Sequence, residues 1–256
     1  MRHLRLASLV ATLAAAASSA PAATLLSESF AGAGGALNGT TDDTAGVAWQ
    51  SGPAFLDDGT INRVVAGGAN GEAAFLPFVP APGNIYSLSA TVANSQGSWV
   101  ALGFMPALPS GGDWTVTDFS VRHSNNGAHA WILTRASGGN DQEAFNGPGT
   151  ANGAFGGDIA DPNSPVDIGI VLNTADPTWT AEYFFNGASQ GVFNLAATAN
   201  TGIAGIGLSR DRNDAAGPGA SVSNLVLTGV TAVPEPAAAG LAALALAAVA
   251  AVRRKD

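Results

Sequence analysis

Val166-Asp167-Ile168-Gly169-Ile170-Val171-Leu172 is followed closely by Trp179-Thr180-Ala181-Glu182-Tyr183-Phe184-Phe185 and then by Asn186-Gly187. Val166, Ile168, Ile170 and Leu172 fall on alternate positions, as do Trp179, Ala181, Tyr183 and Phe185. A period of two puts each set on one face of a strand, which is how a strand buries one side only. Asn-Gly tolerates successive left-handed residues, so Asn186-Gly187 predicts a tight hairpin between 178–185 and the next strand. Upstream, Tyr86, Leu88, Ala90 and Val92 repeat the alternation against Ser87, Ser89 and Thr91.

Working outward, strands are predicted at 24–30, 61–66, 72–78, 97–105, 115–121, 128–135, 190–196, 203–209 and 221–228. No internal stretch carries a sustained helical period with caps, no repeat of fixed period is present, and no linker divides the body. Many short strands with Gly, Asn, Asp and Pro between them predict one antiparallel β-sandwich or barrel. The segment from Ala136 to Pro165, rich in those four residues, reads as the longest loop.

The two ends differ from this body. Arg2 and Arg5, an apolar stretch from Leu6 to Ala17 and then small residues follow the order of a secretory signal peptide. Ala20-Pro21-Ala22 places the cut after Ala22, which implies signal peptidase and the general secretion machinery as partners. At the other end, Val233-Pro234-Glu235-Pro236 precedes a 16-residue uncharged run, 237–252, of which ten are alanine, and then Arg253-Arg254-Lys255-Asp256. As a helix that run spans about 24 Å at 1.5 Å per residue. This is marginal against a hydrocarbon core of about 30 Å. The basic triplet would stay on the cytoplasmic side. The body is therefore expected to be exported and to lie outside the inner membrane, with the C-terminal helix a membrane tether until it is processed.

Pro-Glu-Pro, a short apolar helix and a terminal basic cluster, in that order, resemble the PEP-CTERM sorting signal of Gram-negative bacteria. The resemblance covers residues 233–256, with Pro234, Glu235 and Pro236 on the motif. It implies an exosortase-type membrane protease as partner, cleavage near the motif, and delivery to the cell surface or to a biofilm and exopolysaccharide matrix. The two prolines keep the stretch extended and out of the helix, which suits presentation to a protease. The expected domains are a signal peptide (1–22), a β-sandwich (23–230) and the sorting signal (231–256).

Of ten basic residues in the chain, Arg2, Arg5, Arg253, Arg254 and Lys255 belong to the ends. The body keeps Arg63, Arg122, Arg135, Arg210 and Arg212 against seventeen acids, a formal charge of −12 with no lysine. Nucleic-acid binding needs a basic footprint, so that class is excluded. With no cysteine, disulfides and Cys-based metal or redox sites are excluded too.

The body also resembles the concanavalin A-like and laminin-G-like jelly rolls. Leu25-Leu26-Ser27-Glu28-Ser29-Phe30 resembles their first strand and Ser223-Asn224-Leu225-Val226-Leu227-Thr228 their closing strand, expected near the first. Trp179 to Gly187 resembles their strand and Asn-Gly hairpin. The resemblance implies an all-β antiparallel jelly-roll sandwich. Such folds include carbohydrate-binding domains, some calcium-dependent, and glycosidases.

Glycoside hydrolysis needs two carboxylates roughly 5–10 Å apart across the bond. Jelly-roll glycosidases carry them at alternate strand positions, and no such string occurs here. Asp141 and Glu143 alternate but read as loop acids beside Gly138-Gly139-Asn140. His123 and His129 bracket Ser124-Asn125-Asn126-Gly127 and read as surface residues of a hairpin, with Asp118 a conceivable third zinc ligand. Asp42-Asp43, Asp57-Asp58 and Asp211-Arg212-Asn213-Asp214 read first as solvated turns. As a calcium site, Asp211, Asn213 and Asp214 rank ahead because they precede the closing strand. Trp99, Trp131 and Trp179 sit on apolar strands and read as core, Trp49 is a further large aromatic, and Trp114 after Ser110-Gly111-Gly112-Asp113 is the preferred stacking residue for a sugar. The sequence therefore points to an exported, non-catalytic surface or matrix protein with no catalytic residue and no resident cofactor. The alternative is a carbohydrate-binding module, with calcium as the one ion such a module could use, and a glycoside hydrolase ranks behind it.

Overall fold

In the computed structural model of the 256-residue chain, the described residues are 21–61, 72–93, 99–108, 129–135, 142–145, 151–155, 165–195, 202–210 and 220–232. Ala22–Val230 is one compact unit. It is all-β among the described strands and contains two seven-stranded sheets. The first runs β1 (Ala23–Glu28), β14 (Ala220–Thr231), β5 (Asn84–Ala93), β10 (Val166–Asn173), β11 (Thr180–Phe185), β12 (Ala188–Asn194), with β3 (Thr60–Ile61) also paired to β14. The second runs β2 (Gln50–Ser51), β4 (Glu72–Pro77), β13 (Ile203–Arg210), β6 (Trp99–Pro106), β7 (Ala130–Arg135), β8 (Gln142–Phe145), β9 (Ala151–Phe155). The pairings with a defined register are antiparallel, among them Leu172↔Tyr86 and Leu172↔Ala181 about β10.

The alternation quoted above becomes the wall of the core. Leu88, Ile170, Tyr183, Leu225 and Leu227 of the first sheet are fully buried and join one cluster with Leu76, Leu102, Phe104, Ile132, Ile206 and Leu208 of the second. The sheets therefore pack face to face as a sandwich. Tyr183 crosses the core to a hydrogen bond with the backbone of Trp131, and burial pushes its phenol pKa well above the usual range despite that bond. Each such large side chain contributes about 1.5–3 kcal/mol through removal from water.

β4, β13, β6 and β7 of the second sheet are buried on both faces. The sheet's other face carries a second cluster of Ala73, Phe75, Trp99, Ala101, Met105, Trp131 and Leu133. This explains why β6 is apolar at consecutive rather than alternate positions, as strands covered on both sides are. Trp99 and Trp131 are core residues as expected, but of this outer cluster; Trp179 belongs to the inter-sheet one. Gly207 is needed on that face, because a Cβ there would collide with the Ala74 carbonyl and the Met105 Sδ.

The hairpin at Asn186-Gly187 forms as the dipeptide predicts, with φ of 47° and 76°. Asn186 is also tied to β10: its N–H donates to the Asp167 carbonyl at 2.7 Å, and its Oδ1 accepts the Asp167 N–H at 3.0 Å. β1 pairs with β14 as expected of first and closing strands, with Leu26 opposite Leu227.

One reading is corrected. The expected loop from Ala136 to Pro165 contains β8 and β9, which complete one edge of the second sheet, and Gln142 and Glu143 lie on β8 rather than in a loop. Both strands are short and β9, Ala151-Asn152-Gly153-Ala154-Phe155, carries Asn and Gly, so local composition reads as turn while pairing decides otherwise. The predicted strand at 61–66 overlaps only the end of β3, and its remainder and the one at 115–121 lie outside the described residues. So do the signal-peptide residues 1–20 and the tail from 233 onward.

The end of β1 is held by a buried acid. Glu28 accepts the Phe30 N–H through Oε1 and the Trp49 indole N–H through Oε2, both at 2.9 Å. Phe30 takes a left-handed backbone (φ 54°) beside it, and its ring packs 6.1 Å from that of Trp49. Trp49→Phe keeps most of the ring but leaves one buried oxygen of Glu28 without its donor. A loss of about 1–3 kcal/mol is expected, read as a lower urea midpoint at unchanged slope.

Candidate functional site

On the solvent side of the first sheet, β5, β10 and β11 present the residues that alternate with the core. Asp167, Gly169 and Val171 of β10 stand opposite Thr91, Ser89 and Ser87 of β5, and Gly169 stands opposite Phe184 of β11. Gly169 interrupts the row of side chains and leaves a notch. The result is a groove of about 340 Å³ lined by Ser87, Ser89, Asp167, Gly169, Val171, Phe184 and Gly187. Phe184 is half-buried and belongs to neither core cluster. It gives the groove an aromatic wall.

The opposite wall is a row of hydroxyls. The Thr91 hydroxyl donates to Asp167 Oδ1 at 2.7 Å, which fixes that carboxylate at one end. Two residues from Phe184 on β11 and opposite Val171, Glu182 accepts the Ser189 hydroxyl. The groove thus offers an apolar face, several hydroxyls and one acid, Asp167. No lysine, arginine or histidine lines it among the described residues. Ser87 and Ser89 were legible in the sequence on the face away from Leu88, but the groove was not singled out; the available signal was a glycine in mid-strand, which marks a close approach.

Trp114, the metal candidates Asp211, Asn213 and Asp214, the sorting motif Val233, Pro234, Glu235 and Pro236, and Arg253, Arg254 and Lys255 all lie outside the described residues, as do Asp118, His123 and Asp141. Trp49 and Trp179 are buried and cannot stack on a ligand. His129 is buried rather than on a hairpin surface. Burial holds its imidazole pKa below the usual value, a backbone hydrogen bond with Gly202 offsetting part of the effect.

Asp42 corrects the solvated-turn reading of its pair. It is buried, and its carboxylate accepts backbone N–H groups from Val47 at 2.7 Å, Ala45 at 3.0 Å, Thr44 at 3.1 Å and Ser27 at 3.4 Å. Asp43 Oδ2 accepts the Ser29 N–H at 2.7 Å, and Asp58 Oδ1 the Thr60 N–H at 2.9 Å. Oxygens committed to the backbone in this way build turns rather than coordinate calcium. Among the described residues no group of three or more His, Asp or Glu is placed to hold a metal ion.

No protein-family model matches the sequence, and no curated protein matches it. Solved structures are similar in fold. A sialidase from Trypanosoma rangeli gives a TM-score of 0.48 at 16% identity over 80% of this chain, which spans only 30% of the sialidase. The carbohydrate recognition domain of Emp47p gives 0.47 at 12% identity, covering 83% of this chain and 97% of that one. An endo-1,3-beta-glucanase from Streptomyces sioyaensis gives 0.47 at 11%, covering 84% and 100%. At these scores and identities the site has to be read from its own residues.

Burial opposes ionisation of Asp42, but the four N–H donors win and hold its carboxyl below the ordinary 3.8. A folded value below the unfolded one adds stability above pH 3.8 that is lost as the pH falls through the folded value. Asp42→Ala strands these donors and should cost about 1–3 kcal/mol. The gap between wild type and variant in urea melts should narrow once the pH drops below the carboxylate range.

Proposed function

We propose that this chain is an exported, non-catalytic glycan-binding protein built on a jelly-roll sandwich. The observation that carries the reading is the groove on the outer face of the first sheet. Ligand sites combine an apolar surface with a few fixed polar groups, and a sugar ring offers the complement: apolar C–H faces and an equatorial rim of hydroxyls. Phe184 supplies the first surface, and Ser87, Ser89 and Asp167 supply partners for the second.

The same groove favours binding over hydrolysis. Glycosidic cleavage uses an acid and a second carboxylate on opposite sides of the bond. Asp167 is the one acid lining the groove among the described residues, and its Oδ1 is engaged by Thr91.

Delivery belongs to the proposal. The signal peptide directs export, and the tail at Val233, Pro234, Glu235 and Pro236 is the segment an exosortase-type protease would process, releasing the body to the surface or to an extracellular polysaccharide matrix. Strand interleaving supports the jelly-roll reading: β13 and β14, late in sequence, lie between early strands in both sheets.

Two measurements test the reading. Mass spectrometry of the protein from its producing cells should find Ala23 at the N-terminus and a C-terminus near residue 236; an intact chain ending at Asp256 contradicts sorting by cleavage. The exported protein should be retained on the producer's own exopolysaccharide without releasing sugar from it. Sugar release by the purified protein would make it an enzyme and overturn the non-catalytic reading.

A further inference from the structure

We infer that the groove over Gly169 selects neutral pyranose glycans and rejects polyuronates and other anionic ones, with Gly169 as the specificity-determining position. The inference rests on the glycan-binding reading above and adds to it a substrate class and a residue.

Shape comes first. From Val171 to Asp167 the groove follows four residue steps of β10, about 13 Å at ~3.3 Å per step, room for roughly two sugar rings. The missing side chain at Gly169 opens its centre. A Cβ built there would lie 3.5 Å from the Leu88 carbonyl oxygen, 3.7 Å from the Phe184 Cβ and 3.9 Å from the Ser89 Cβ, all ordinary contacts. Packing therefore does not require the glycine, unlike Gly207, where a Cβ collides with backbone. A strand-centre glycine weakens the strand, because it packs no side chain and loses more conformational freedom on folding. Without a packing reason, the notch is best explained by what it admits: a ring lying flat against Phe184 and close to the main chain.

Charge decides the class. A carboxylate- or sulfate-bearing sugar is held by arginine or lysine, usually through paired hydrogen bonds. The groove has no cation among the described residues, the body has no lysine, and Asp167 stands at the groove's end with Glu182 on the neighbouring strand. An anionic chain laid along β10 meets like charge and finds no compensating partner among the described residues. A neutral ring instead gains hydroxyl-to-carboxylate hydrogen bonds, which are stronger than neutral ones.

The test uses the full-length chain in mild detergent, run by affinity electrophoresis through gels containing a soluble neutral glucan, a galactomannan or a calcium-free polyuronate. Retardation is expected from at least one neutral polymer and not from the polyuronate. Gly169→Val, a β-branched residue whose Cβ meets only ordinary contacts and whose methyls fill the notch, should weaken the retardation by about tenfold or more, with Gly169→Ala as the smaller step and the melting temperature of each variant as the check on folding. Phe184→Ala, removing the stacking wall, should do so by about tenfold, the effect of some 1.4 kcal/mol. Polyuronate binding equal to or tighter than the neutral polymers overturns the charge argument. Neutral-glycan binding unmoved by Gly169→Val and Phe184→Ala overturns the groove and leaves glycan binding itself standing. Absence of retardation in every gel overturns both readings.

Discussion

The fold depends on where its last strand goes. β14 enters between β1 and β5, so the first sheet is continuous only when residues nearly two hundred positions apart have paired. β13 does the same in the second sheet, between β4 and β6. Remove either and the sheet divides into pieces too narrow to cover the shared core. Contacts of this range have to close large loops before any burial rewards them. The buried Glu28, tied to Trp49 and to the Phe30 N–H, fixes the end of β1 beside β14.

What was legible in the sequence follows from burial on one face or two. β5, β10 and β11 each have one wet face, so their period of two is plain, and the Asn186-Gly187 turn sits where its φ preference demands. β6 is buried throughout, and a strand apolar at every position shows where it is but not which residues face which layer. For this reason Trp99 and Trp131 read as core without revealing that a second cluster existed. β8 and β9 were hidden for the opposite reason. Their residues have little strand preference of their own, and pairing to β7 supplies the order.

The groove shows the same limit in a functional setting. Ser87, Ser89 and Thr91 were legible as one face of a strand, but nothing local relates Ser89, Gly169 and Phe184. They become neighbours through two registers, β5 to β10 and β10 to β11, each of which a one-residue slip would ruin. The acid pair Asp42-Asp43, read first as a solvated turn, does build a turn, but both carboxylates accept backbone N–H groups and Asp42 is buried rather than solvated.

The placement of the chain ends bears on how such a groove would be used. Ala23 stands opposite Gly229, and Gly229 lies against the ring of Tyr86, at the start of β5. Thr91, Asp167 and the Asn186-Gly187 hairpin lie at the other end of those strands, since Val92 pairs with Val166 while Tyr86 pairs with Leu172. Both ends of the body therefore leave from one pole, and the carboxylate end of the groove lies toward the opposite pole. Among the described residues, the pole at Ala23 and Gly229 is therefore distinct from the Asp167 end of the groove. The separation comes from antiparallel pairing itself, because first and last strands that lie side by side necessarily begin and end at the same edge of the sheet.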